Sequence, residues 1–226
     1  MKITIVVAMF EEITPLRNIL APEPLLQRGS FLYEKASYAG HDLLLVQCGI
    51  GKANAAAATA IAIELYGADR IFNMGSVGAL DSRLDIGDIV LIGGFAYHDA
   101  DATVFGYQYG QVPRMPATYV GDLFLLPEVS HPYYKVLPGF LVTGDSFSSN
   151  ETQTATIKNH FPQATVVDME GTAVAQIAYQ YGIPVCAVKS VSDNAGKNAE
   201  TSFEENLAKA SANGADFLLK ILDKLV

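Results

Sequence analysis

Residues 2–8, with the sequence KITIVVA, form a run that is entirely apolar or β-branched after Lys2. Such a run of strand length predicts a buried β-strand. Residues 11–20 follow with a helical pattern that ends before Pro22. The same order of strand and then helix recurs along the chain, and this alternation predicts an α/β fold with a largely parallel sheet.

The rest of the chain repeats both patterns. Helical patterns cover residues 52–66, 151–160, 171–181 and 203–225, and strand patterns cover residues 31–38, 42–48, 70–74, 88–92, 139–143, 165–167 and 184–191. Gly40 lies between the first two of these strands, which predicts a hairpin. Gly75, Gly78 and Gly87 predict a loop between residues 74 and 88. Residues 97–116 lack periodicity, and an irregular segment of this length is often functional.

Length and composition predict one globular domain that spans residues 1–226. The chain has 226 residues, of which 50% are hydrophobic and 17% are charged, so it contains enough apolar material for a core. No segment rich in proline, glycine and serine divides it. From Phe203 onwards, apolar side chains recur at helical spacing, and this stripe predicts a last helix packed on the sheet through a core face.

The charge balance excludes several classes of partner. The chain has 15 lysines and arginines against 24 acidic residues, for a net charge of −9. A nucleic-acid binder needs clustered cations, and an anionic membrane surface repels such a chain. Cys48 and Cys186 lie in apolar runs and are expected to be buried thiols. No signal peptide or membrane span is recognised, so the sequence predicts a cytoplasmic protein that binds neither nucleic acid nor membrane.

Two phosphate-binding motifs fail at Gly49-Ile50-Gly51-Lys52. The phosphate loop requires glycine at position 46 and serine or threonine at position 53, where this chain has Val46 and Ala53. The dinucleotide fingerprint requires glycine at position 54, where this chain has Asn54. A tight turn from strand to helix is predicted instead. Residues 144–148 lack the second glycine of a nucleophile elbow. The histidines and cysteines show no metal-ligand spacing.

Acidic and serine side chains directly follow several predicted strands. In an open α/β sheet, ligands bind in the crevice just beyond these carboxyl ends of the strands. The side chains are Glu11, Glu12, Ser76, Asp145, Asp168, Glu170, Ser192 and Asp193. Each acid taken alone is better explained as a helix cap or first-turn residue. Together they indicate a substrate that becomes positive in the transition state. Because few cations accompany them, water is favoured over phosphate as the nucleophile, and hydrolysis of a glycosyl bond fits.

A set of motifs runs in order along nearly the whole chain. The motifs are Ala8-Met9-x-Glu11-Glu12, Gly49-Ile50-Gly51-Lys52, Asn73-x-Gly75-Ser76-x-Gly78, Tyr97-His98-Asp99-Ala100-Asp101, Phe105-Gly106-Tyr107-x-Tyr109-Gly110-Gln111, Gly144-Asp145-Ser146-Phe147, Met169-Glu170 and Ser192-Asp193. Together they resemble the 5′-methylthioadenosine/S-adenosylhomocysteine nucleosidase family of the purine nucleoside phosphorylase superfamily. The resemblance implies a single α/β domain with a central mixed, twisted, barrel-like sheet flanked by helices. It also implies hydrolysis of the N-glycosidic bond of both nucleosides in methionine salvage, with release of adenine and the thioribose product.

The resemblance assigns the catalytic roles to two carboxylates. Asp193 matches the acid that protonates adenine N7, and Glu12 matches the residue that orients and deprotonates the attacking water. Glu11 is the runner-up for the second role, because adjacent acids cannot be told apart from sequence alone. Met169 and Glu170 match the ribose-binding pair, in which the carboxylate also stabilises positive charge on the sugar.

The resemblance also implies the other substrate contacts. Ser76 matches a serine near the ribose and the water, and Ser192 matches one that helps to place Asp193. Phe147 is expected to stack on adenine while the backbone of Ser148 contacts the edge of the base.

An apolar pocket for the 5′-thio group is implied as well. It would contain Met9, Ile50, Phe105 and Pro113, with the last two reaching in from the second subunit of a homodimer. Neither a metal nor a cofactor is implied. Lys189 departs from the family pattern, in which an arginine near the water and ribose is usual, and an ammonium does not replace a planar fork of donors.

Three alternative functions remain open from the sequence. A phosphate-dependent nucleoside phosphorylase of the same fold is one, although few cations lie near Glu12. A hydrolase of another 6-amino purine nucleoside, such as aminodeoxyfutalosine, would use nearly the same residues. A relative that binds nucleosides without turnover is the third, and the presence of Glu12, Glu170 and Asp193 argues against it.

Overall fold

The computed structural model describes residues 1–123, 131–196 and 198–225. Within these ranges the chain forms ten strands, five α-helices and a short 3-10 helix at Thr103–Phe105. The strands are Lys2–Val7 (β1), Glu23–Arg28 (β2), Phe31–Tyr38 (β3), His41–Gln47 (β4), Arg70–Ala79 (β5), Ile89–Tyr97 (β6), Tyr119–Val120 (β7), Val136–Thr143 (β8), Val166–Asp168 (β9) and Val185–Asn194 (β10). The helices are Phe10–Leu20 (α1), Lys52–Tyr66 (α2), Glu151–His160 (α3), Gly171–Tyr181 (α4) and Ala199–Leu222 (α5).

Five of these strands close into a barrel. In the order β10, β6, β8, β9 and β5, each strand pairs with the next, and β5 pairs back with β10. The β5–β10, β6–β8 and β8–β9 pairs are parallel, whereas β6–β10 and β5–β9 are antiparallel. β1, β4, β3 and β2 extend the sheet outwards from β5. The mixed, barrel-like sheet implied by the resemblance is confirmed, and the largely parallel sheet predicted from strand–helix alternation is wrong.

β1 is buried along almost its whole length because helices cover both faces of the sheet. Ile5 belongs to the same buried cluster as Leu16 of α1 and Phe217 of α5. Val6 belongs to the cluster that contains Ala58 of α2. A strand between two layers of helices requires apolar side chains at successive positions, which explains the unbroken run at residues 2–8.

β5 extends beyond the predicted strand and brings site residues into the sheet. It continues to Ala79, through two of the glycines that were expected in a loop. A Cβ atom at Gly75 would lie 3.1 Å from Glu12 Oε1, and one at Gly78 would lie 3.0 Å from Asp193 Oδ1. These two glycines therefore serve the close approach of two carboxylates to the strand. The loop prediction is wrong here because glycine occurs both in turns and at strand positions where another group approaches the backbone closely.

The helix predictions agree closely with the structure. The predicted bounds of α2, α3 and α4 are confirmed, while α5 begins at Ala199, earlier than the predicted residue 203. β2 was missed because its sequence, EPLLQR, contains Pro24 and is mostly exposed. Cys48 and Cys186 are buried free thiols, as predicted. No helix in the described ranges has the length and hydropathy needed to cross a membrane.

Candidate active site

A cavity of about 540 Å³ opens beside β1, β5, β9 and β10, with the first turns of α5 at one side. The sequence-predicted site residues that line it are Met9, Glu12, Ile50, Ser76, Phe147, Ser148, Met169, Glu170, Ser192 and Asp193. Phe105, Pro113 and Lys189 do not line this cavity in the described chain. The structure thus brings both predicted catalytic carboxylates and the predicted ribose-binding pair to one site.

Glu12 is fixed in the cavity wall by backbone and side-chain donors. It lies in the first turn of α1 and is only 3% exposed. Oε1 accepts hydrogen bonds from Ser76 N at 2.7 Å and Ser76 Oγ at 2.6 Å, and Oε2 accepts one from Met9 N at 3.1 Å. Glu11 points away from this arrangement and is exposed. The helix geometry therefore separates two acids that the sequence could not.

Asp193 lies near the end of β10 and is only 2% exposed. The β5–β10 pairing shifts register between Val191 and Asp193, which turns this part of the strand towards the cavity. Ser192 Oγ donates a hydrogen bond to Asp193 Oδ2 at 2.9 Å. Burial raises the pKa of Asp193 to about 6, although the hydrogen bond from Ser192 lowers it. A carboxyl group in this state can act as a proton donor near neutral pH.

Glu170 precedes α4 and reaches across the cavity to the start of α2. Its Oε1 accepts a hydrogen bond from Gly51 N at 2.8 Å. Gly51 adopts a φ of +96°, which favours glycine. Burial, followed by the negative charge of Asp168, raises the pKa of Glu170. Hydroxyl donors from a bound ligand would favour the ionised form of this carboxylate.

Lys189 lies behind the cavity wall and is 2% exposed. Its Nζ atom is 2.8 Å from Asp168 Oδ2. Burial by itself lowers the pKa of Lys189, but the charges of Asp168, Glu170 and Glu12 reverse this effect and raise it. The ammonium therefore stays charged in the interior. It contacts the carboxylate in the wall and does not itself face the cavity.

The cavity wall also contains apolar side chains. Met9 and Ile50 come from the segments that precede α1 and α2, and Phe147 comes from the loop after β8. Phe147 is 39% exposed and meets Phe203 of α5 edge to face, with ring centroids 5.9 Å apart. Ser148 is buried beside them. The cavity thus combines carboxylates with apolar and aromatic side chains, as expected for a site that binds a small, partly apolar ligand.

Comparisons with known proteins show the family of this chain. The phosphorylase superfamily model matches residues 2–223. The 5′-methylthioadenosine/S-adenosylhomocysteine nucleosidase of Bacillus thuringiensis strain Al Hakam is 36% identical over 230 aligned residues, which cover 100% of both chains. The chain belongs to this nucleosidase family.

Solved structures of nucleosidases have the same fold. The S. pneumoniae 5′-methylthioadenosine/S-adenosylhomocysteine nucleosidase with the transition-state inhibitor MT-ImmA is 35% identical, with a TM-score of 0.95 and 100% of each chain covered. The Streptococcus pyogenes S-adenosylhomocysteine nucleosidase in complex with 5-methylthiotubericidin is 37% identical, with a TM-score of 0.95, and the match covers 100% of this chain and 98% of that one.

Sequence reasoning missed some residues of the nucleosidase cavity. Phe203 was predicted to be a core residue, but it lies in the wall with Glu200 and Glu204. Helical spacing identifies an apolar face without showing what each residue on it contacts, so the core prediction is wrong for Phe203 but is confirmed for Phe217 and Ile221, which are fully buried. Asp145 was expected at the crevice and instead accepts a hydrogen bond from Lys52 N at 2.8 Å. It thus accepts from the first N–H group of α2, at the helix end where a negative charge is favourable.

Phe105 and Pro113 belong to the long irregular segment, which is held firmly to the rest of the nucleosidase. The ring of Tyr109 stacks on His160 at a centroid distance of 3.8 Å and lies 6.1 Å from the ring of Phe161. Phe105 itself is 80% exposed. The segment therefore presents an aromatic side chain to solvent from an anchored backbone.

Within residues 1–123, 131–196 and 198–225, no group of three or more His, Cys, Asp or Glu residues has the geometry to hold a metal ion. The nucleosidase cavity is therefore described by its carboxylates, hydroxyls and apolar side chains.

Proposed function

We propose that the protein hydrolyses the N-glycosidic bond of 5′-methylthioadenosine and S-adenosylhomocysteine, with release of adenine and the thioribose product. One observation carries the proposal. A carboxylate held by fixed donors, Glu12, and a carboxyl group with a raised pKa, Asp193, line the same cavity. Glycosyl hydrolysis requires such a base and such an acid. The family membership supports this substrate class.

The proposed reaction assigns one proton transfer to each group. Asp193 donates its proton to adenine N7, so the purine leaves as a neutral base when the bond from C1′ to N9 breaks. Glu12 accepts a proton from water as the water oxygen bonds to C1′. The second oxygen of Glu170 accepts hydrogen bonds from the ribose 2′ and 3′ hydroxyls and stabilises the positive charge on the sugar.

The remaining wall residues are proposed to orient the substrate. Phe147 stacks on adenine, and the backbone of Ser148 contacts the edge of the base. Met9 and Ile50 receive the 5′-thio group, and Met169 packs against the ribose. Ser76 lies beside the water because it already donates to Glu12, and Ser192 holds Asp193.

The active form is proposed to be a homodimer. Val104 and Phe105 are 85% and 80% exposed at the tip of the anchored irregular segment. Exposed large apolar side chains on a rigid backbone are typical of an interface. In this proposal Phe105 and Pro113 complete the 5′-thio pocket of the neighbouring subunit. The whole chain, residues 1–226, acts as one nucleosidase domain in the cytoplasm, within methionine salvage.

The first test is incubation of the purified protein with 5′-methylthioadenosine, with and without phosphate, followed by chromatography of the products. We expect adenine and free methylthioribose at equal rates under both conditions, because water is the nucleophile. A sugar phosphate formed only with phosphate would assign the protein to the phosphorylases. Absence of adenine under both conditions would indicate another nucleoside or a binding role, and a parallel incubation with aminodeoxyfutalosine would separate these two.

Phe105→Asp is expected to weaken the dimer, because a carboxylate replaces an apolar side chain at the interface. Loss of a buried aromatic anchor typically costs about 2 kcal/mol, or roughly 30-fold in Kd. Sedimentation over a range of concentrations would measure the dissociation, and KM for 5′-methylthioadenosine should rise with it. Leu25→Asp on β2, where the parent side chain is 42% exposed, is the matched control. An unchanged dimer in Phe105→Asp would contradict this interface.

A further inference from the structure

Asp168 and Lys189 form an interior ion pair beside the proposed ribose site. Lys189 Nζ lies 2.8 Å from Asp168 Oδ2, and each side chain is only 2% exposed. Asp168 contributes to the cavity wall, whereas Lys189 does not. The pair therefore connects the wall of the cavity to the interior of the barrel.

Donors from other elements fix the Asp168 carboxylate. Oδ1 accepts hydrogen bonds from Thr143 Oγ1 at 2.6 Å and from Glu170 N at 3.2 Å. Oδ2 accepts a hydrogen bond from Gly171 N at 2.9 Å, in addition to its contact with Lys189. These donors come from β8, from the start of α4 and from β10, so they fix the Asp168 side chain in one orientation.

These hydrogen bonds determine where Glu170 lies. Asp168 holds the backbone N–H groups of Glu170 and Gly171, at the point where α4 begins. A Cβ atom at position 171 would lie 2.9 Å from Asp168 Oδ2 and 2.3 Å from Leu141 Cδ2. Glycine at this position therefore permits the close approach of the carboxylate to the helix start. The side chain of Glu170 leaves this fixed backbone and reaches Gly51.

The charges around Glu170 depend on the same pair. Burial is the main cause of the raised pKa of Glu170; Asp168 and Glu12 raise it further, and Lys189 lowers it. The other titratable groups near the cluster come from several elements. They are Cys48 after β4, Tyr97 at the end of β6, His98 after β6, and Asp193 on β10. Lys189 supplies positive charge among these mostly acidic neighbours.

We propose that Asp168 and Lys189 are a positioning pair, in which Asp168 orients Glu170 and Lys189 balances the charge of Asp168, so that Glu170 meets the ribose as a carboxylate. The proposal rests on the proposed function, because it concerns the same site. Neither residue takes or gives a proton in the reaction.

Three variants test the charge balance through the pH dependence of kcat/KM for adenine release. The acidic limb of this profile is where Glu170 loses its charge. Lys189→Gln removes the cation and keeps an N–H donor, so the acidic limb should move to higher pH by about one unit or more. Asp168→Asn leaves Lys189 unbalanced, so the limb should move to lower pH. The double variant buries a neutral pair, and its limb should return to within about half a unit of the parent value.

A purely structural role for the pair would lower activity by the same factor at every pH. Shifts that are absent, or that have the same sign in both single variants, would therefore overturn the proposal. Lys189→Arg retains the charge and should keep the parent limb even where the larger side chain lowers the melting temperature; a shifted limb in this variant would also overturn it. If Lys189→Gln does not fold, the sign of the shift in Asp168→Asn decides the question.

Adenine release by the unsubstituted parent protein distinguishes a failure of this proposal from a failure of the proposed function. Adenine release by the parent tests the nucleosidase activity itself. A parent protein that releases adenine normally, together with variants whose limbs do not move, would overturn the positioning pair alone. A parent protein without activity would overturn the proposed function, and the pair would then have no Glu170–ribose contact to serve.

Discussion

Asp193→Asn is expected to lower kcat for 5′-methylthioadenosine by about 100- to 10,000-fold, because an amide cannot donate a proton to adenine N7. The substitution keeps the shape of a side chain that is 2% exposed, so the fold and ligand affinity should survive. Adenine release measured by chromatography gives kcat, and calorimetry with a transition-state inhibitor gives the affinity. Near-parental turnover would remove Asp193 from the mechanism.

The pH profile provides an independent check on Asp193. Its pKa of about 6 means that the protonated fraction falls as the pH rises above this value, so activity should decline on the alkaline side. Ser192→Ala removes the donor to Asp193 Oδ2, which lowers the pKa of that carboxyl in the parent. In this control the alkaline limb should move to higher pH. A limb that moves to lower pH would contradict the assigned contact.

Glu12→Gln is expected to reduce turnover by a similar factor, about 100- to 10,000-fold, because the amide cannot accept a proton from water. The amide oxygen can still accept from Ser76, but the amide nitrogen cannot accept from Met9 N. This loss should cost about 1 kcal/mol of stability. Single-turnover assays with excess enzyme would measure the chemical step, and thermal unfolding would measure the stability.

Glu11→Gln is the matched control for this experiment. Glu11 neighbours Glu12 in α1 but is exposed, and the substitution makes the same change of charge. Its kcat should stay within about twofold of the parent value, as for most exposed positions away from a site. A large loss in Glu11→Gln, with near-parental activity in Glu12→Gln, would exchange the roles of the two acids.

Much of this fold could be predicted because local patterns determine it. The unbroken run at residues 2–8 indicated β1, and the Ala-rich run at residues 52–66 indicated α2. Asp193 and Glu170 were predicted as site residues because the motifs that contain them occur in order along the chain, and both line the cavity. Glu12 could be separated from Glu11 only in three dimensions, because both lie in the same helical turn and only the structure shows which one contacts Ser76.

The errors arose where a residue's role depends on a distant part of the chain. Gly75 and Gly78 indicated a loop because glycine is common in turns, yet each provides space for a carboxylate on another element. Phe203 has the spacing of a core residue, and nothing local reveals that it faces a cavity. For Lys189, nothing local indicated its contact with Asp168 on another strand, while its expected place near the water and ribose stays a prediction.

The close approaches at Gly75 and Gly78 also bear on how far apart Glu12 and Asp193 meet β5. Glu12 meets β5 at Gly75, and Asp193 meets it at Gly78. Three residues of extended backbone span roughly 10 Å. Movement of surface loops can admit or release a nucleoside, but it does not change the length of this tripeptide step. The spacing along β5 of the two strand positions that face Glu12 and Asp193, the groups proposed to activate water and to protonate the leaving group, therefore follows from the covalent dimensions of a single strand, and it exists before any ligand arrives.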